Sequence, residues 1–271
     1  MAIITISRGT FGGGEALAEA LASRLGYECV SREALVESAT WYGVPAGSPG
    51  DAENRAGSLE RLASERKAHL VSVRAALCDR ARGGNLVYHG HAGHLLWGED
   101  VSHVIRLRVV ADMEYRIRAA MKRHSLGREG AIAYIEKVDR ERSEWTNFLY
   151  GVAWEDPSLY DMVLNLARIS IPSACEIVAQ LTQLPEFRPT PRSMKAMEDI
   201  ALSSRVLAHL LRDPRTAGLD LKVTADGGRV TINCAAQPRD AQDAIPIVAA
   251  QVEGVKQIDC SPVPTVGSSP Q

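Results

Sequence analysis

Blocks of apolar residues with two different periods run along the first 181 residues and predict alternating strands and helices. Short runs rich in Ile, Val and Leu, each bounded by Gly or polar residues, predict buried strands. Longer stretches repeat apolar residues every three or four positions, as Leu17, Leu21 and Leu25 do, and predict helices that pack by one face. The predicted strands span 2–7, 27–31, 86–90, 103–111 and 160–166. The predicted helices span 15–25, 58–82, 113–147 with a break near 125–128, and 171–181.

The order of these elements predicts the fold class. A strand, a helix and a second strand fill the first 31 residues, and such a βαβ unit has parallel strands. Because strands and helices go on alternating, we expect a three-layer α/β fold, a parallel sheet with helices on both faces.

After residue 184 the pattern changes, which predicts a second domain. The stretch "LPEFRPTPRS" has three prolines in ten residues and is typical of a domain boundary. A predicted helix (193–212) is followed by two alternating runs joined by Gly227 and Gly228, a hairpin signal, and then by a helix (239–252) and a strand (255–260). The expected domains are 1–184, a linker at 185–192, a small α-β-β-α-β domain at 193–262 and a disordered tail at 263–271. The Gly- and Pro-rich stretch 44–57 predicts a mobile loop or the edge of a lid.

The composition indicates which partners and which compartment to expect. The 271 residues suffice for two domains, and the formal net charge of −2 gives no reason to expect nucleic acid or an anionic membrane as a partner. Five widely spaced cysteines without a C-x-x-C pair favour a reducing compartment over a disulfide framework. No apolar run approaches the length of a transmembrane segment, so we expect a cytoplasmic protein. The segment 106–142 holds ten Lys or Arg against six Asp or Glu and is where an anion site would find its charge.

A glycine-rich turn lies between the first strand and the first helix. Gly9 to Gly14 has the spacing G-x-x-x-x-G, which in phosphate-binding loops lets backbone amides and a helix N-terminus converge on phosphate oxygens. The two positions that follow normally carry Lys and Ser or Thr, but here they are Glu15 and Ala16. The alternative is an ordinary glycine turn without a ligand.

Longer stretches resemble a known family. "IITISRGTFGGGEALAEALASRLGYECVSREAL" resembles the start of the cytidylate kinase-like family of P-loop nucleoside-monophosphate kinases. The likeness continues through "NLVYHGHAGHLL", "VIRLRVVADMEYRIRAAMKR", "AIAYIEKVDRERSEW" and "WEDPSLYDMVLNLARISIPSACEIV", in family order, over most of residues 2–182. The C-terminal module, with "DGGRVTI" and "VEGVKQIDC", resembles more weakly a BON domain, a small α/β module associated with protein or lipid partners.

The resemblance implies ATP-dependent phosphoryl transfer to a nucleoside monophosphate, CMP or dCMP by default, with Mg²⁺ as cofactor, on a P-loop kinase-like sheet. It implies catalytic roles for three arginines, namely Arg8, Arg140 and Arg142. The nucleotide-binding loop would comprise Gly9, Thr10, Phe11, Gly12, Gly13, Gly14, Glu15 and Ala16. Substrate-binding positions would be Ser31, Arg32, Gly90, His91, Gly93 and Asp161, with Asn165 near the last strand touching the base or only supporting the fold.

Departures from the family pattern leave a rival open. Glu15, Ala16 and His91 replace residues that hold phosphate or metal, so the chain could instead be a catalytically degenerate nucleotide-binding sensor or scaffold. Protonated His91 could partly replace the family's arginine. Glu15 would repel a triphosphate less if its side chain turned outward to pair with Arg24 or a neighbour.

Other polar and aromatic residues each allow two interpretations. His89, His91 and His94 suggest a metal site, yet no carboxylate or cysteine lies nearby in the sequence, and we expect no metal among the site residues. The segment holding Arg140 and Arg142 is a lid or only a solvated helix, and the two arginines point in different directions, so one alone could reach a ligand. Arg116 and Arg123, seven apart, join that lid or form a solvated stripe. The remaining candidates, Trp145, Phe148 and Trp154, stack on a base or pack in the core.

Overall fold

The computed structural model of the chain describes residues 2–39, 59–234 and 239–262. The chain forms two compact units, Met1–Arg32 with Gly83–Met194 and Glu33–Arg82 with Lys195–Gln271. The predicted loop at 44–57 and the predicted disordered tail lie outside the described residues.

The first unit is built on a five-stranded parallel sheet. Its strands are β1 (Ile3–Arg8), β2 (Glu28–Ser31), β3 (Leu86–Gly90), β4 (Val104–Val110) and β5 (Met162–Asn165). They lie in the order β2-β3-β1-β4-β5, and every neighbouring pair is parallel. β1 is central, so strands with higher numbers lie on both sides of it. In open α/β sheets, ligand sites form beyond the carboxyl ends of the strands at such a point. The loop after β1 therefore begins where this fold favours a binding site.

The helices up to residue 181 are α1 (Gly14–Leu25), α2 (Arg32–Ala39), α3 (Leu59–Ala81), α4 (Met113–His124), α5 (Arg128–Tyr150) and α6 (Ile171–Leu181). Of these, α1, α4, α5 and α6 belong to the first unit, whereas α3 and all of α2 after Arg32 belong to the second. On one face of the sheet Ile4 and Ile6 of β1 pack with Leu17 and Leu21 of α1, and all four are at most 1% exposed. This apolar layer fixes the start of α1 beneath the loop that precedes it.

The opposite face of β1 carries two buried polar residues, Thr5 and Ser7, beyond Ile3. Thr5 and Ser7 alternate with the two isoleucines, and the Thr5 hydroxyl donates to the Ile105 carbonyl at 3.3 Å. Ser7 accepts a hydrogen bond from the Tyr160 hydroxyl at 3.2 Å. Buried polar groups require partners, so this face is built for polar side chains from neighbouring elements.

The second unit contains a three-stranded sheet made by the C-terminal residues. Its elements are α7 (Pro191–Arg212), β6 (Leu221–Asp226), β7 (Arg229–Cys234), α8 (Arg239–Ala249) and β8 (Gln257–Pro262). β7 is central, antiparallel to β6 and parallel to β8. An ion pair between Arg205 of α7 and Asp79 of α3, at 3.1 Å, lies inside this unit.

The predicted fold class is confirmed for both sheets. β3 and α6 have the predicted bounds, and the α-β-β-α-β order follows from residue 191 onward. Gly227 and Gly228 turn the hairpin with φ of 58° and 99°, values that favour glycine. The predicted linker is partly helical, because Pro185–Phe187 forms a 3-10 helix and α7 begins at Pro191. Domain boundaries and the BON-like identity of the C-terminal module stay predictions. None of the described helices is long and apolar enough to span a membrane.

Candidate functional site

The glycine loop connects β1 to α1 through a backbone shape that needs its glycines. Gly13 has a φ of 84° and Phe11 a φ of 59°, and the Gly12 amide donates to the Gly9 carbonyl at 3.0 Å. α1 begins at Gly14. Because a helix leaves its first amides without partners inside the helix, the N–H groups at this end can receive an anion.

Close side chains leave no room for a Cβ at two of these glycines. A Cβ on Gly13 would lie 2.9 Å from the Tyr115 hydroxyl oxygen and 3.0 Å from a Leu166 methyl group. A Cβ on Gly14 would lie 2.7 Å from Cδ of Arg8. Arg8 therefore crosses directly over the start of α1. Its buried Nε has no hydrogen-bond partner among the described residues.

Thr10 ties the loop to α5. Its amide donates to Asp139 Oδ1 at 3.0 Å, and its hydroxyl donates to the same oxygen at 2.7 Å. Arg116 of α4 donates through Nε to the Thr10 carbonyl at 2.8 Å and through Nη2 to Asp139 Oδ2. An amide of the glycine loop thus binds a carboxylate of the chain itself.

Of the two arginines in "DRER", the structure brings Arg142 to the loop. Its guanidinium donates to the Thr10 hydroxyl at 3.0 Å and lies 3.4 Å from the Arg8 carbonyl oxygen. Arg140 is exposed on the same helix. The expectation that the two point in different directions agrees with this geometry.

Glu15 pairs with α4 and not with Arg24. Its carboxylate accepts a hydrogen bond from Arg123 at 2.5 Å, whereas Arg24 pairs with Glu176. The hydrogen bond from Arg123 is the largest of the effects that hold the pKa of Glu15 below its usual value. Arg116 therefore contacts the glycine loop itself, whereas Arg123 pairs with Glu15 of α1 from a largely exposed position. Ala16 is exposed and has no side-chain oxygen to offer a metal.

The second candidate loop follows β3 and is crowded by Tyr88. A Cβ on Gly93 would lie 2.1 Å from Cε1 of Tyr88, and one on Gly90 would lie 2.9 Å from Cβ of Arg32. Arg32 begins α2, and Ser31 is the last residue of β2, paired in register with His89. Gly90, Gly93, Ser31 and Arg32 thus share the carboxyl edge of the sheet with the glycine loop.

The surroundings of His91 disfavour its protonation, against the expectation of a protonated substitute for arginine. Burial, followed by the charges of Arg142 and Arg32, lowers the pKa of His91 to about 3. Its Nε2 lies 3.0 Å from the Arg142 carbonyl oxygen and 2.5 Å from the Thr146 hydroxyl. The Thr146 hydroxyl also donates to that carbonyl. Through these contacts with Arg142 and Thr146, neutral His91 links the second loop to α5.

An aromatic cluster packs beside His91 on the polar face of the sheet. The His94 ring lies 4.4 Å from the Tyr160 ring, and the Arg108 guanidinium lies 4.6 Å from the centre of the Trp154 ring. Burial lowers the pKa of His94 to about 3. Trp154 is 2% exposed, which favours core packing over base stacking, whereas Phe148 is 56% exposed and is not in the core.

The remaining predicted positions have local roles in the structure. Asp161 accepts a hydrogen bond from the Arg106 amide at 2.7 Å, and Asn165 accepts one from the Ala167 amide at 3.0 Å. Within the described part of the chain, no three His, Cys, Asp or Glu side chains converge as a metal site would require. Sequence reasoning missed four residues that shape the site, namely Arg108, Tyr115, Asp139 and Thr146. Of these four, only Asp139 could have been found from the sequence, since it lies three residues before Arg142 and so on the same helix face.

Comparison with known proteins gives one family match and several similar structures. A family model described as "Cytidylate kinase-like family" matches residues 3–168. An uncharacterised protein from Eubacterium ventriosum has a TM-score of 0.52 at 17% identity, over 68% of this chain and 99% of that one. A shikimate kinase from Bacteroides thetaiotaomicron has a TM-score of 0.42 at 12% identity, over 68% and 99%. The Eubacterium ventriosum match supports the fold alone. No curated protein matches the chain.

Proposed function

We propose, from the premise that this chain belongs to the cytidylate kinase-like family, that it transfers a phosphoryl group from ATP to a nucleoside monophosphate. Membership supports a nucleotide kinase in the broad sense, and CMP and dCMP are the acceptors that the resemblance implies. In this reaction an acceptor phosphate oxygen attacks the γ-phosphorus of ATP. The bond from that phosphorus to the β–γ bridging oxygen breaks, and ADP and a nucleoside diphosphate leave.

The observation that carries the proposal is the double attachment of Arg142. Its guanidinium reaches Thr10 in the glycine loop, and its carbonyl lies 3.0 Å from Nε2 of His91 in the second loop. Phosphoryl transfer requires donor and acceptor to be held in line and their charge to be neutralised. A single residue of α5 therefore joins the loop proposed for the donor to the loop proposed for the acceptor.

Residues around the glycine loop supply the positive charge that its lysine position lacks. Arg8 crosses the start of α1 with a buried Nε that has no hydrogen-bond partner among the described residues, and a phosphate oxygen would satisfy that donor. Arg142 and Arg116 both donate to Thr10. We propose that Arg8 and Arg142 contact the transferring phosphate. Arg140 would lie farther from it and contribute less to the rate.

We assign the remaining predicted residues by the loop that carries them. Gly9 to Ala16 would bind the phosphates of ATP through amides. Gly90, Gly93, Ser31 and Arg32, on the same edge of the sheet, would border the monophosphate. Asp161 would act only by supporting the start of β4, because its carboxylate is bonded to the Arg106 amide.

The loop does not fit a magnesium ion as the family implies. Ala16 stands where a hydroxyl would hold the metal, and the Thr10 hydroxyl oxygen already accepts a hydrogen bond from the cationic Arg142 guanidinium. The proposed chemistry is therefore assigned to the arginines and amides of this chain.

A catalytically degenerate nucleotide sensor is the second candidate function. The observation that favours it is the acidic side chain at the lysine position beside Ala16. A sensor would bind nucleotide through the same loop without turnover. The likeness of the C-terminal module to a BON domain, with a protein or lipid partner, stays a prediction that co-sedimentation with anionic vesicles tests.

Incubation of the purified chain with ATP, Mg²⁺ and each monophosphate, followed by chromatography of the diphosphates, tests the proposal. We expect turnover with CMP or dCMP that falls at least 100-fold in Arg8→Ala. The matched control is Arg24→Ala, an arginine at the far end of α1 that pairs with Glu176. Tight ATP binding without diphosphate would support the sensor, and the absence of any nucleotide binding at millimolar concentration would exclude both functions.

A further inference from the structure

The carboxylate of Asp139 is bound by the glycine loop as an anion would be. Oδ1 accepts from the Thr10 amide at 3.0 Å and from the Thr10 hydroxyl at 2.7 Å, and Oδ2 accepts from Arg116. Thr10 is 6% exposed, and the side chains of Arg116 and Asp139 are 14% and 24% exposed. Both oxygens of the Asp139 carboxylate are thus hydrogen-bonded and partly shielded from water.

These donors are the kinds that bind phosphate oxygens. A backbone amide of a glycine-rich loop, a hydroxyl and a guanidinium recur at phosphate sites because each hydrogen bond to an anion is charge-assisted. While Asp139 is bound, the charge of Arg116 is neutralised by a side chain of the protein. The same loop cannot give these donors to a phosphate and to Asp139 at once.

We infer that Asp139 is a built-in competitor for phosphate and determines which anions the glycine loop accepts. A polyphosphate displaces the carboxylate, and Arg116 exchanges Asp139 for phosphate oxygens. An anion with one charge gains little over the carboxylate it must replace, whereas a polyphosphate brings several charges to Arg8, Arg116 and Arg142. This inference deepens the proposed function, since it rests on phosphate binding at this loop.

The position of Asp139 on α5 couples the exchange to Arg142 on the same helix. Asp139 and Arg142 are three residues apart, so they lie on one face of the helix and both contact Thr10. When the carboxylate leaves, α5 keeps its contact through Arg142. The helix thus carries both the competing anion and an arginine for the phosphate that replaces it.

Mutation of Asp139 distinguishes competition with phosphate from a purely structural role, because the two predict opposite changes in anion affinity. If the carboxylate only held Thr10 in shape, its loss would loosen the loop and weaken anion binding. If it competes, its neutralisation would strengthen binding. Asp139→Asn separates these possibilities because it keeps the size of the side chain and one acceptor oxygen for Thr10.

The test measures binding of inorganic tripolyphosphate to the full chain by isothermal titration calorimetry. We expect Asp139→Asn to bind about tenfold more tightly than the unmodified chain. Glu136→Gln, which removes one negative charge from an exposed position of the same helix, should change the affinity less than twofold. Asp139→Glu keeps the charge and should stay within about threefold of the unmodified chain.

Three results would overturn the inference: equal or weaker binding by Asp139→Asn, equal gains in Glu136→Gln, or no tripolyphosphate binding by any variant. If Asp139→Asn fails to fold, a gain in Asp139→Ser decides the same question. Because tripolyphosphate needs neither a base nor an acceptor, a tightened Asp139→Asn without diphosphate formation would uphold this inference while the proposed kinase activity fails.

Discussion

The carboxylate of Glu15 and the guanidinium of Arg123 lie 2.5 Å apart and join α1 to α4. Both side chains are largely exposed, at 42% and 61%. The pair neutralises the acidic charge at the position where a phosphate-binding loop would carry lysine. Glu15 therefore repels an incoming polyphosphate less than its place in the sequence suggests.

Removing Arg123 should expose this repulsion. We expect Arg123→Ala to weaken ATP binding about three- to tenfold, because the Glu15 charge then acts on the phosphates without compensation. The double variant Glu15→Gln with Arg123→Ala should recover most of the loss. Calorimetric titration at low and at high salt checks both, and the loss should shrink at high salt. An Arg123→Ala effect that Glu15→Gln does not relieve would mean that Arg123 itself contacts the nucleotide.

The backbone at Gly13 should not tolerate a side chain. Gly13→Ala adds a Cβ within 3.0 Å of Tyr115 and Leu166 at a φ of 84°, so we expect a loss of about 1–3 kcal/mol in the free energy of unfolding and loss of nucleotide binding. Gly127→Ala is the matched control, since its φ is −69° and a Cβ there would meet no atom within 4 Å. Urea unfolding and ATP titration of both variants test this prediction. Equal losses of stability in the two variants would contradict it.

Elements with local signals could be predicted from the sequence. The run "LVYHG" ends at a glycine and became β3 with the predicted bounds, and Gly227 with Gly228 marked the hairpin between β6 and β7. These predictions depend on periodicity and turn chemistry, which neighbouring residues determine. The glycine loop was found for the same reason.

Contacts between distant residues could not be predicted in the same way. Asp139 is 129 residues from Thr10, and His91 is 51 residues from Arg142, so their pairing depends on how α5 lies over the sheet. Whether His91 carries a charge depends on burial, which the sequence "YHGHAGH" does not encode. Sequence reasoning therefore located the two loops, and the structure was needed to show how α5 connects them.

Arg142 and Arg140 should differ in their effect on turnover. Arg142 donates to Thr10 in the glycine loop, whereas Arg140 is exposed. We expect Arg142→Ala to lower kcat/KM at least 100-fold and Arg140→Ala no more than about tenfold, measured with ATP and CMP. Circular dichroism of both variants controls for folding. Equal losses would show that α5 moves enough on nucleotide binding to bring both arginines to the phosphates.

His94 should make the protein sensitive to acid. Burial lowers its pKa from 6.5 to about 3, and neither ring nitrogen has a hydrogen-bond partner among the described residues. Between these values the unfolded chain binds a proton that the folded chain does not, so stability is complete above pH 6.5 and falls as the pH drops toward 3. His94→Phe keeps a ring against Tyr160 and removes the titration. We expect the variant to match the unmodified chain within about 1 kcal/mol at pH 7 and to be up to about 2 kcal/mol more stable at pH 5, at about 1.4 kcal/mol per pH unit. Urea unfolding at both pH values measures the difference, and an identical acid loss in both proteins would contradict the buried, neutral state of His94.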